Sequence, residues 1–104
     1  MKTLLDLLES VAKRPGMYLG PLTYLNAHAF LLGFQLGARL AGLDYSGEQY
    51  QAAARERGWD PSGNIGILRD FQRKGLSEEE MARELFAVEL AAYRRAATEA
   101  KERP

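Results

Sequence analysis

Apolar positions near the start of the chain recur at helical spacing. Leu4, Leu8 and Val11 share a face with Leu5 and Ala12, and this period predicts a helix over 4–13. Thr3, with Asp6 three residues on, reads as a capping box. Lys13 and Arg14 suit the negative end of the helix, and Pro15-Gly16 stops it. A short apolar turn, 17–21, follows. The next apolar run predicts a helix from Pro21 or Thr23 to Ala41, ended by Gly42. Ala29, Gly33, Gly37 and Ala41 put a small residue at every fourth position, a smooth strip that another helix backbone can approach closely. Phe30, Phe34, Leu36 and Leu40 make the other side bulky, so this helix reads as apolar nearly all round and central to the fold.

Polar punctuation marks out the rest. Ser46 with Gln49 predicts a helix from 46 to Arg57, ended by Gly58, with a thin apolar face of Tyr50, Ala53 and Ala54. Trp59 to Asn64 reads as a turn. A short helix, 65–74, is expected next, capped by Ser62 or Asn64, with Ile65, Leu68 and Phe71 inward and Gly75 closing it. Ser77 with Glu80 opens a last helix to about Ala100, with Leu85, Phe86, Val88, Leu90 and Tyr93 as its apolar contacts. No stretch alternates apolar and polar residues for long, and only 63–68 could pair as a strand. The expected fold is all-α: a compact bundle of four to five helices in a single domain over 1–104, with 99–104 a frayed tail.

Composition narrows the function classes. With 104 residues, 46% of them hydrophobic and 27% charged, the chain has the make-up of an ordinary globular domain with one core. Acidic and basic side chains balance at 14 each. Nucleic-acid binders carry a basic excess because phosphate contacts supply much of their affinity, so a nucleic-acid partner is not expected. The one basic grouping is Arg55, Arg57, Arg69 and Arg73 with Lys74, and it is diluted by Glu56 and Asp70. A net charge of zero leaves self-association unopposed, which favours a homo-oligomer. The absence of cysteine removes disulfides, thiolate metal sites and a thiol nucleophile, and fits a reducing cytoplasm. The first residues, broken by Asp6 and Glu9, do not form a signal peptide. The apolar window 22–42 contains His28, Gln35 and Arg39, which reads as a buried helix and not a membrane span.

Candidate chemistry is sparse. His28 is the only histidine. Inside an apolar helix it reads as a hydrogen-bonded core residue; a catalytic role would require a pocket that brings a carboxylate within reach. One histidine without cysteine makes a poor metal set. Glu78-Glu79-Glu80 reads as a helix N-terminus, and the glycines of 58–66 match no phosphate loop. No catalytic residue, metal or cofactor is expected. Trp59, the only tryptophan, reads as core packing ahead of an exposed anchor.

The most specific segment is Lys13-Arg14-Pro15-Gly16-Met17-Tyr18-Leu19-Gly20: a helix stop, a tight turn, an apolar plug of Met17, Tyr18 and Leu19 wedged between the first two helices, and a glycine restart. It resembles the N-terminal part of the ATPase domain of the gyrase B subunit and related type II topoisomerases, a likeness that runs over residues 4–42. In that family the second helix carries a Glu that activates water and an Asn that holds magnesium. Phe30 and Phe34 stand at the matching positions here, and neither can do so. ATP hydrolysis is therefore not implied. The wider pattern, Arg14 to Gly20, Gly33, Trp59 and the acidic start of the last helix, is similar to small bacterial proteins of immunity-like type that accompany toxins. The absent catalytic groups, the balanced charge and the apolar turn at Met17 to Leu19 favour a non-enzymatic protein-binding module, of the immunity or antagonist type this resemblance implies, that occludes a partner. Arg14, Tyr18 and Trp59 are the candidate contacts, since Arg, Tyr and Trp dominate interface energetics. Pro15, Gly16, Met17, Leu19 and Gly20, with Gly33 and Gly37, form the structural motif. A nucleic-acid-binding helical domain and a structural homo-oligomer are the alternatives.

Overall fold

In a computed structural model, residues 3–62 and 66–102 are described. They form six helices: α1 (Leu4–Lys13), α2 (Gly16–Leu19), α3 (Tyr24–Leu40), α4 (Gly47–Glu56), α5 (Ile67–Arg73) and α6 (Glu78–Glu102). No strand occurs among the described residues, so the all-α expectation is met. Residues 67 and 68 of the suggested strand belong to α5, and 63–65 lie outside the described residues.

Local chemistry sets the helix ends. Thr3 and Asp6, Ser46 and Gln49, and Ser77 and Glu80 each exchange side-chain and backbone hydrogen bonds as capping boxes. Three helices stop in one way. Gly42, Gly58 and Gly75 take φ of 87°, 90° and 77°, a region where glycine alone meets no Cβ penalty. The residue after each, Leu43, Trp59 and Leu76, then donates its N–H back to Ala38, Ala54 and Phe71 and packs its side chain on the core. Glycine plus an apolar residue is thus a stop that also anchors the next loop.

The structure corrects the sequence reading in several places. Residues 16–19 of the expected turn wind into one turn of helix. Its plug is Pro15, which is buried, with Leu19 partly buried. Met17 and Tyr18, expected to wedge inward, are 72% and 53% exposed. α5 begins later than expected, and Gly66 at φ 55° precedes it with no side-chain cap, so Ser62 does not cap it. Asn64 and Ile65 lie outside the described residues.

The centre of the fold is α6 and not α3. α6 buries Met81, Leu85, Phe86, Val88, Leu90 and Tyr93, and α1, α3 and α4 pack around it. Glu78 accepts from the Tyr24 N–H at the start of both helices, and Gln35 meets Glu89 further along, so α3 and α6 run parallel. α4 runs antiparallel to α6, with Gln49 on Glu99 and Glu56 on Arg95. α3 touches the core with only one face, Ala27, Leu31 and Ala38. Phe30 and Phe34 lean inward onto Phe86 and Tyr93.

Candidate functional site

Two features of α3 stand out, one on its outer face and one beneath its inner flank. On the outer face, Leu25, Ala29, Leu32, Leu36 and Leu40 recur at three- and four-residue spacing, a single stripe on a helix of 3.6 residues per turn. The four leucines are 71%, 48%, 63% and 92% exposed. Beside them Gly33 and Gly37 have open space where a Cβ would project. The smooth strip expected from the small residues is therefore present, but no helix among the described residues covers it. Soluble chains do expose single leucines; four on one stripe make a patch. The bulky side also divides differently from the expectation: the phenylalanines turn inward while Leu36 and Leu40 face solvent.

The second feature is a buried carboxylate. Glu89 falls on the α6 stripe between Leu85 and Tyr93 and is only 3% exposed. Its Oε1 accepts from the Tyr45 hydroxyl at 2.6 Å and from Gln35 Nε2 at 3.0 Å, and Gln35 also donates to the Tyr45 oxygen at 2.9 Å. Glu89 Oε2 is buried with no hydrogen-bond partner. Burial raises the Glu89 pKa, and the bonds from Tyr45 and Gln35 pull against that rise without cancelling it. Tyr45 and Tyr50 are raised first by their own burial and then by the Glu89 charge; Tyr93 is pushed up to about 12 for the same two reasons, in that order.

Glu89 lines a pocket of about 370 Å³ with Tyr24, His28, Leu31, Leu32, Gln35, Tyr45, Gly47, Tyr50, Gly66, Ile67 and Leu85. His28 is exposed, not a core residue, and stacks on Tyr24 with ring centroids 5.7 Å apart. Tyr45 and Tyr50 stack at 5.8 Å. His28 and the Glu89 carboxylate thus line one pocket but share no hydrogen bond, so the contact that a catalytic role for His28 would require is not seen.

The residues singled out in the sequence are not brought to one pocket: Trp59 lines a pocket with Arg55, Asp70, Arg73 and Lys74, and neither Arg14 nor Tyr18 lines it. Arg14 is exposed at the end of α1 and Tyr18 on α2. Trp59 packs edge-on against Phe71 at 4.8 Å, donates its Nε1–H to Glu84 Oε1 at 2.8 Å and lies under Lys74. These contacts match the packing role expected of it. The basic grouping is largely neutralised. Arg57 pairs with Glu84, and Arg73 and Lys74 both reach Asp70. The Arg73 guanidinium, the Asp60 N–H and Lys74 together hold the Asp70 carboxyl at about 2 against the cost of burying it. Among the described residues no group of three or more His, Asp and Glu is placed to hold a metal ion, and no helix is long and apolar enough to cross a membrane.

Glu89, Gln35 and Tyr45 escaped the sequence reading. A signal existed: Leu85, Glu89 and Tyr93 are four residues apart, which puts a carboxylate on a core face. No family model, curated protein or solved structure matches the chain.

Proposed function

We propose that this chain is a non-enzymatic protein-binding module whose working surface is the outer face of α3, and that the occupant of this face is a second copy of the chain. The observation that carries the reading is the uncovered leucine stripe running beside Gly33 and Gly37. The stripe is complementary to itself. An antiparallel copy centred between Leu32 and Gly33 sets Leu32 against Gly33, Leu36 against Ala29 and Leu25 against Leu40, so at the middle of the contact each large side chain meets a small one. Such packing lets two helices approach closely. Zero net charge adds no repulsion.

Size sets the strength. A 17-residue helix is about 26 Å long and about 10 Å across, which supplies less than the roughly 800 Å² per partner of a standard interface. An interface this small is of the transient class, so the dimer should be reversible and is sought at micromolar and higher concentrations. Light scattering on fractions loaded across that range should show the mass moving from one copy to two, and Leu36→Lys should hold it at one copy. A wild-type chain that stays monomeric at several hundred micromolar, or a Leu36→Lys chain that dimerises as well as wild type, overturns the reading.

A second reading, the immunity or antagonist role implied by the resemblance, is favoured by the corner before α3. Arg14 forms no ion pair among the described residues, and Met17 and Tyr18 beside it are exposed. That suits a foreign protein presenting a carboxylate next to an apolar patch. A photo-crosslinker at position 18 in the native host should yield one heterologous adduct that survives Leu36→Lys and disappears with Arg14→Glu. An adduct of the chain with itself, or none, removes this reading.

A further inference from the structure

We propose that the pocket beneath the inner flank of α3 receives one organic cation, an ammonium or guanidinium group on a short apolar stem, with the Glu89 carboxylate as its acceptor. The inference does not rest on the dimer, although Leu32 borders both surfaces.

The hydrogen-bond inventory carries it. Glu89 Oε1 already takes two donors, Tyr45 and Gln35. Oε2 takes none, though a carboxylate oxygen in a water-poor site needs a partner. No Lys or Arg among the described residues pairs with Glu89, while Glu9, Asp44, Glu56, Asp70, Glu79 and Glu84 each have at least one. A carboxylate so buried is made neutral by a proton or by a neighbouring cation, and a cation arriving beside it takes the proton's place.

The walls define the remainder of the ligand. Leu31, Ile67 and Leu85 suit a short hydrocarbon stem, and the rings of Tyr24, Tyr45 and Tyr50 suit the positive head, which is attracted to aromatic faces. The other titratable groups lining the pocket are His28 and these three tyrosines; none carries a permanent positive charge to compete with the ligand. About 370 Å³ admits a small molecule or the end of one long side chain. The cation therefore comes either from a free amine or from a Lys or Arg of another protein, and the chemistry at Glu89 is the same.

The test is an NMR titration of the full chain with the Glu89 side-chain carboxyl carbon labelled. The probes are n-butylammonium, n-butylguanidinium, Nα-acetyl-lysine amide and, as an uncharged control of similar length, n-pentanol. The cations should saturate a shift at Glu89 and lower its apparent pKa, since a bound positive charge favours the ionised form. Pentanol should do neither. Glu89→Gln should weaken cation binding at least tenfold, as expected when a charge-assisted bond becomes a neutral one. Should that variant not fold, Tyr24→Leu should weaken the cations several-fold and leave pentanol unaffected. A preference for free butylammonium over the lysine amide marks a small-molecule ligand, and the reverse marks a protein side chain; either supports the site. No shift at millimolar cation, pentanol binding as well as butylammonium, or unchanged binding by Glu89→Gln overturns it.

Discussion

The Tyr45 hydroxyl donates to Glu89 Oε1 at 2.6 Å, across a sequence gap that no local pattern bridges. Tyr45 stands just before α4, whereas Glu89 lies midway along α6. The bond therefore ties the α3–α4 connection to the central helix. The Tyr45 ring reinforces the tie by packing edge-on against Tyr93 at a centroid distance of 4.8 Å.

Tyr45→Phe isolates the polar part of this tie. The ring and its packing remain, but the buried carboxylate keeps only Gln35 as a donor. Losing one partner of a buried charged group costs about 1–3 kcal/mol. Urea unfolding at neutral pH should show a lower midpoint with an unchanged slope. A midpoint equal to wild type would mean that the hydroxyl bond contributes nothing net.

Glu89 also gives stability a pH dependence of definite sign. Burial raises its folded pKa above the ordinary carboxylate value. The folded chain therefore holds this proton more tightly than the unfolded one. The associated stability is fully present below the unfolded value and is lost as pH rises through the folded value. Glu89→Gln removes the titration. Melting temperatures taken from acid to neutral pH should show the variant gaining on wild type as pH rises. A constant difference between the two would contradict the raised pKa.

The helices were legible because their ends are written locally. Ser46 with Gln49, and glycine followed by Leu43 or Trp59, fix where a helix starts or stops whatever packs around it. Which face of a helix is inward was not legible for α3, since apolar residues surround it and periodicity cannot choose between Phe30 and Leu40. Long-range α6 contacts made that choice. Of the site, Glu89 was readable from its four-residue spacing to Leu85 and Tyr93. Its partners were not, because Gln35 and Tyr45 reach it only once α3 and α6 run parallel. Arg14 and Tyr18 were chosen for their residue types, and neither lines the pocket that Trp59 borders.

Asp70 acts with the opposite sign to Glu89. Arg73, the Asp60 N–H and Lys74 hold its pKa at about 2, below the ordinary 3.8. Its contribution is present above the unfolded value and lost as pH falls toward the folded one. Acid titration of the melting temperature should thus steepen between those two values. Asp70→Asn should lack that segment and melt lower than wild type at neutral pH. A wild-type curve that is flat there would show the three donors to be energetically idle.

Gly33 separates folding from association. It sits inside α3 with helical backbone and open space where a Cβ would project, so within one copy the missing side chain serves no packing. Gly33→Ala should therefore raise monomer stability by about 1 kcal/mol, the ordinary helix-interior difference. Gly33→Leu should also be tolerated by the monomer, since leucine is a good helix former. In the antiparallel pair, however, position 33 faces Leu32 of the second copy, and a leucine there forces the two backbones apart. The expected result is a chain that unfolds at higher urea than wild type yet stays monomeric where wild type dimerises. Unchanged dimerisation by Gly33→Leu would place the contact elsewhere on the surface. Reduced stability of the Gly33→Ala monomer would mean that the glycine serves the fold of a single copy.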